Sequence, residues 1–181
     1  RDRLAGRSAA KLVLAKHLSL DPKVLHIDNH PNGSPYCCEH PDISFSISHC
    51  AGLGVAAVSD TPIGIDMECL EPRTPSFRTR FFTLSERNLA DNDAYRINIL
   101  WSIKEATLKL LKLGLRVSPL DIEITHLSDS HAQISLHGKV AELFGREIAN
   151  SIRIKYQQVH NYTVAIALWQ PLKNTCLTFP P

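Results

Sequence analysis

The segment Ile63-Gly64-Ile65-Asp66-Met67-Glu68 constrains the fold of this chain more than any other. Its residues alternate with the period of a β-strand, so Ile63, Ile65 and Met67 share one face while Asp66 and Glu68 share the other. Such a strand must bury one face in a core and hold two carboxylates side by side on the opposite one. Gly64, on the acidic face, is expected to leave room beside them. Two adjacent carboxylates repel each other unless a cation lies between them, and oxygen-only ligands favour a hard ion such as Mg²⁺. Taken alone, two exposed acids on a sheet edge is the plainer reading.

Short elements surround this strand. Arg3 to about His17 carries Leu4, Leu12, Val13 and Leu18 among good helix formers, and Asp21-Pro22 ends the helix. Val24–Asp28 reads as a strand and Asn29 to Asp42 as a loop rich in Pro, Asn, Gly and Ser. Ile43, Phe45 and Ile47 alternate with Ser44, Ser46 and Ser48, the period of a half-buried strand. Leu53–Val58 follows, and the three strands to Glu68 read as an antiparallel meander. Beyond a loop at Glu71–Pro75, Phe77–Ala90 predicts one or two short helices, and Ala94 to Leu113 a longer one with Gly114 at its left-handed C′ position. Strands at Ile122–Thr125, Ala132–Leu136, Ile152–Tyr156 and Thr163–Leu168, a short helix near Val140–Glu147 and a proline-bearing surface tail complete the chain. His49 before Gly54–Val58 is echoed by His160 before Thr163–Leu168, as two lobes of similar plan would require; chance resemblance explains it as well.

Composition excludes several classes. Hydrophobic residues at 44% and charged residues at 21% are ordinary for a globular chain, which argues against wholesale disorder. Twenty Lys and Arg against 18 Asp and Glu leave a formal charge of +2, too even a balance for a nucleic-acid binder. The 5 cysteines form no C-x-x-C pair, so free thiols in a reducing, cytoplasmic setting are expected. No apolar stretch approaches the ~20 residues of a membrane span.

Other residues bear on the acidic pair. Glu105 and Lys109 share a helix face in Trp101-Ser102-Ile103-Lys104-Glu105-Ala106-Thr107-Leu108-Lys109, either as a solvated pair or as a third carboxylate and a phosphate contact. Ser48 and His49 end the serine-rich strand and offer donors suited to phosphate oxygens, although a histidine at such a junction is more often structural. Arg3, Arg7 and Lys11 make a basic stripe, a solvated face or a phosphomonoester site.

Together these residues resemble the 4′-phosphopantetheinyl transferase family in its longer, two-lobed form. The matches run in order through Leu4-Ala5-Gly6-Arg7, Ser48-His49, the G-x-D-x-E strand Gly64–Glu68, Phe81-Phe82-Thr83-Leu84-Ser85-Glu86 and the W-x-x-K-E-A-x-x-K helix Trp101–Lys109. They cover residues 3 to 113; the last third matches in strand pattern only.

The resemblance implies an α+β fold of two lobes related by a pseudo-two-fold, each a small antiparallel sheet packed on a helix, with the pocket between them. Lobe one would cover about residues 1–80, lobe two about 81–170, with a C-terminal tail at 171–181. It implies a holo-[acyl-carrier-protein] synthase type enzyme that moves the phosphopantetheine arm of coenzyme A onto a serine of an apo acyl or peptidyl carrier protein. Such an enzyme would serve fatty-acid or secondary-metabolite biosynthesis as a monomer. By the same resemblance Asp66, Glu68 and Glu105 would hold Mg²⁺, while Ser48, His49 and Lys109 would hold the phosphates of coenzyme A. Arg7 with Lys11 would take the 3′-phosphate, and Glu105, or a water held by Glu68, the serine proton.

There are departures. Gly33-Ser34-Pro35 stands where the family often has Gly-Lys-Pro, which removes one positive contact. Cys50 replaces a serine after Ser-His and would make that edge thiol-reactive, and the short N-terminus is expected to lack the family's first strand. Two other readings stand beside the transferase: a Mg²⁺-dependent phosphodiesterase or nuclease on the same carboxylates, and a non-catalytic module that binds coenzyme A or a carrier domain.

Overall fold

The computed structural model describes residues 2–171 together with Leu177 and Phe179, so most of the expected surface tail lies outside the described residues. The chain runs through α1 (Asp2–Leu18), β1 (Ile27–Asn29), β2 (Pro35–Cys37), β3 (Ser44–Cys50), β4 (Leu53–Ser59) and β5 (Ile63–Cys69). It continues through α2 (Pro75–Phe81), α3 (Leu84–Leu89), α4 (Ile97–Leu110), β6 (Ile122–Leu127), β7 (His131–Leu136), α5 (Gly138–Phe144), β8 (Ile152–Val159) and β9 (Tyr162–Trp169). The fold is α+β, with an antiparallel hairpin β3–β4 packed on α1 and a five-stranded antiparallel sheet, ordered β5-β9-β8-β7-β6, packed on α4. No helix among the described residues is long and apolar enough to cross a membrane.

Two cores follow from this arrangement. The larger gathers Leu100, Ile103 and Leu108 of α4 with Ile122, Ile124, Ile154 and Ala167 of the sheet. The smaller joins Ala10 and Leu14 of α1 to Leu25, Ile27, Cys37 and Phe45. The face α1 buries is Gly6, Ala10, Leu14 and Ala15, whereas Leu4 and Leu12 are exposed. Small residues win that face because helix and hairpin touch backbone to backbone: a Cβ on Gly54 would sit 2.3 Å from the Ala5 carbonyl carbon.

Three sequence expectations are corrected. The strand expected at Val24–Asp28 is a 3₁₀ turn at Pro22–Val24 followed by β1, which pairs with β2 inside the expected loop. β5 does not close a meander on β4 but pairs along its length with β9. Beside β3 it is held by side chains: Ser44, Ser46 and Ser48 Oγ accept the N–H groups of Ile63, Ile65 and Met67 at 3.2, 3.0 and 3.1 Å. The serines stand in for ladder carbonyls, which is why Ser46 and Ser48 are buried. At the end of α4 the left-handed C′ residue is Lys112 (φ 55°), not Gly114; Leu113 N–H reaches Leu108 O at 3.0 Å and Lys112 N–H reaches Lys109 O at 3.0 Å.

Candidate active site

Close backbone approaches build the site. A Cβ on Gly64 would lie 1.9 Å from the Ala106 carbonyl oxygen and 2.6 Å from the Leu110 nitrogen. The glycine makes room for α4 rather than for the carboxylates, which corrects the sequence expectation. Because α4 crosses the acidic face of β5 there, Lys109 and Glu105 come to Asp66. On the other side, a Cβ on Gly6 would lie 2.6 Å from Ile47 Cγ2 and 3.4 Å from His49 Cδ2. That crossing sets the Arg7 end of α1 beside His49.

Asp66 is the centre. Its Oδ1 accepts from Ser48 Oγ at 2.8 Å and from Lys109 Nζ at 2.7 Å, while its buried Oδ2 has no hydrogen-bond partner. Lys109 Nζ also donates to the carbonyls of Ile47 and Ile65, each at 3.2 Å. The one proton of Ser48 and all three of Lys109 are therefore engaged within the chain. Either side chain reaches a phosphate only by releasing one of these partners.

The other two carboxylates feel Asp66 strongly. Burial, then the charges of Asp66 and Glu68, push the Glu105 carboxyl up to about 7 against the opposing pull of Lys109. Glu68 is raised by burial and by Asp66, and Arg73 opposes the rise. Arg73 is a site residue that the sequence reading missed. It pairs with Glu68, donates to Asn98 Oδ1 and lies over the Phe77 ring at 5.1 Å. Its only sequence signal was a lone cation in the loop after the acidic strand.

Among the described residues, no three His, Cys, Asp or Glu side chains stand drawn up as a metal cage, since Glu68 is turned to Arg73 and Asp66 to Lys109. The donor set nonetheless fits a hard cation: three mutually repelling carboxylates, with one buried oxygen of Asp66 left unpartnered.

The remaining predicted residues lie around this centre. His49 is exposed at the end of β3, opposite Gly54. Arg7 donates to Ile27 O at 2.8 Å and to Asn29 Oδ1 at 2.7 Å, which tethers it to β1, and Lys11 lies one turn further along α1. A cleft of about 230 Å³ opens between the Gly33-Ser34-Pro35 loop, Ser44–Ile47 of β3 and the Lys109–Lys112 end of α4, so Ser34 and Lys109 line the same space.

Lys104, in the motif but given no role from sequence, is fully buried. Its ammonium donates to Phe81 O, Pro119 O and Glu86 Oε2 at 3.0, 2.9 and 2.9 Å. Glu86 in turn accepts from Thr83 N and Ile124 N, each at 2.9 Å. This buried pair fastens α2, α3 and β6 to α4 and so sets where Glu105 stands.

Asp66, Glu68, Glu105 and Lys109 make a carboxylate–ammonium centre. Comparison with known proteins places it further: residues 62–167 match the model of the 4′-phosphopantetheinyl transferase superfamily, and the chain belongs to that superfamily. It is 34% identical over 139 residues to a 4′-phosphopantetheinyl transferase of Bacillus subtilis, covering 74% of this chain and 62% of that protein. It is 32% identical over 123 residues to the 4′-phosphopantetheinyl transferase Sfp of B. subtilis strain 168, covering 65% of this chain and 54% of that protein. The chain thus spans between half and two thirds of these relatives' lengths. A solved Helicobacter pylori holo-[acyl-carrier-protein] synthase in complex with coenzyme A aligns at 23% identity and a TM-score of 0.49, covering 60% of this chain and 99% of that one.

Proposed function

We propose that this chain transfers the 4′-phosphopantetheine arm of coenzyme A to a serine hydroxyl of an apo carrier protein, with Mg²⁺, and releases 3′,5′-ADP. The observation that carries the reading is the convergence of Asp66, Glu68 and Glu105 across the Gly64 crossing, in a chain of the phosphopantetheinyl transferase superfamily. Asp66, Glu68 and Glu105 would hold the cation, which when bound neutralises charge developing on the leaving pyrophosphate oxygen.

The chain's own residues do the rest. Lys109 balances the charge of Asp66 in the resting site and turns its ammonium to a phosphate oxygen when coenzyme A enters. Ser48 holds Asp66 in the resting site and releases it to give its hydroxyl proton to the same phosphates, while exposed His49 adds an imidazole donor. Arg7, tethered through two of its five N–H groups, has the others for the 3′-phosphate, with Lys11 beside it. Glu105 accepts the proton of the attacking serine, and a water held by Glu68 is the second acceptor.

A cytoplasmic setting belongs to the same reading. So does a two-lobed monomer: two separate cores favour two lobes, although β5 and Phe77, inside the expected first span of about 1–80, pack with the second span of about 81–170.

The test is chromatographic. With coenzyme A and Mg²⁺, 3′,5′-ADP should appear only when an apo carrier is present, and Asp66→Ala should abolish it while circular dichroism stays unchanged. Release without any acceptor would favour the phosphodiesterase reading, and full activity of Asp66→Ala would remove the metal assignment.

A further inference from the structure

The serine ladder between β3 and β5 has a fourth rung. Ser44, Ser46 and Ser48 each meet the residue nineteen positions later in β5, and the next pair in that register is Cys50 with Cys69. Their sulfurs stand 2.9 Å apart, both cysteines are free, and both are half-buried at the strand ends. A disulfide bond measures about 2.05 Å, so sub-ångström closure separates the present contact from a covalent one. The rung is part of the site's rim. Cys50 follows His49, Cys69 follows Glu68, and Tyr162 faces Cys69 across the β5–β9 pairing.

We propose that Cys50 and Cys69 are a reversible oxidation site, closing to a disulfide that ties the His49 end of β3 to the Glu68 end of β5. The oxidant is a low-molecular-weight disulfide. One cysteine attacks it as the thiolate, forms a mixed disulfide and releases one small thiol. The second cysteine then attacks the protein sulfur of that mixed disulfide and releases the second small thiol. Two electrons leave the pair, and its two protons end on the released thiols. This chemistry goes beyond phosphopantetheine transfer and does not depend on it.

Partners are already chosen by the fold. Cys37 and Cys38 lie on β2 and the residue after it, and the buried Cys37 thiol donates to Glu39 at 3.4 Å. Only the 50–69 pair has its sulfurs in contact among the described residues.

The experiment incubates the chain with excess oxidised glutathione, blocks remaining thiols with N-ethylmaleimide and cleaves before aspartate. Cleavage at Asp42, Asp60, Asp66 and Asp91 puts Cys50 in peptide 42–59 and Cys69 in peptide 66–90. The expected result is a link between these two peptides, about 2 Da lighter than their sum, reversed by dithiothreitol and absent from Cys50→Ser and Cys69→Ser. The oxidised wild type should also melt about 6–12 °C higher, because the bond closes a loop of some twenty residues in the unfolded chain. Separate glutathione adducts on Cys50 and Cys69, a link to the Cys37–Cys38 peptide, or an unchanged melting temperature would overturn the proposal.

Discussion

Replacing Gly64 with alanine tests how the site is assembled. Gly64 has no positive φ, so the new methyl strains no backbone angle; what it meets is α4. Its Cβ would stand 1.9 Å from Ala106 O, and ordinary contact begins at 3.4 Å, so helix and strand must part by about 1.5 Å. The three nearest atoms facing the methyl group all belong to helix backbone, which has no rotamer to escape into. Overpacking of this kind costs about 1–3 kcal/mol. The same movement stretches the 2.7 Å bond from Lys109 to Asp66 past hydrogen-bonding range, which loses about 1.5–3 kcal/mol more. A total of about 2.5–6 kcal/mol, at a urea m-value of about 2 kcal/mol/M, lowers the unfolding midpoint by about 1–3 M. Trp101 and Trp169, both buried, report the transition by fluorescence. Gly52→Ala is the control: φ is +82° there with nothing within 4 Å, so only backbone strain of about 1 kcal/mol is expected. If Gly64→Ala shifts the midpoint no more than Gly52→Ala, the close crossing does not hold the site together.

Other consequences follow from the same geometry. Lys104→Met takes the counter-ion from buried Glu86 and a donor from two carbonyls, and should cost about 3–5 kcal/mol in urea unfolding. The folded chain holds the Glu105 proton more tightly than the unfolded chain, so this group's contribution is complete below pH 4.5 and is lost as pH rises to about 7. Thermal scans from pH 5 to 7 should therefore show declining stability, and Glu105→Gln should flatten the decline. Ser34 lines the cleft shared with Lys109, so Ser34→Lys should tighten coenzyme A binding several-fold by calorimetry.

Much of this was readable before the structure, and the parts that were not have a common cause. The alternation in Ile63–Glu68 and the helical spacing of Glu105 and Lys109 are local signals, and both elements form where expected. Which partner each face meets is non-local. Ser44, Ser46 and Ser48 read as the polar side of a half-buried strand because nothing in their spacing says that β5 lies beside them wanting acceptors. Gly64 read as space for carboxylates because the helix that fills the space lies some forty residues away. Arg73 was missed because a loop cation acquires meaning only once Glu68 and Asn98 are brought to it. Lys104 was given no role because only tertiary packing reveals that it is buried on Glu86.

Intact-mass spectrometry of an apo acyl carrier protein, incubated with this chain, coenzyme A and Mg²⁺, tests the central claim most directly. The account predicts a gain of one phosphopantetheine arm on the carrier serine, lost with EDTA and with Asp66→Ala. No gain on several unrelated carriers, despite measurable coenzyme A binding, would contradict it and leave a binding module.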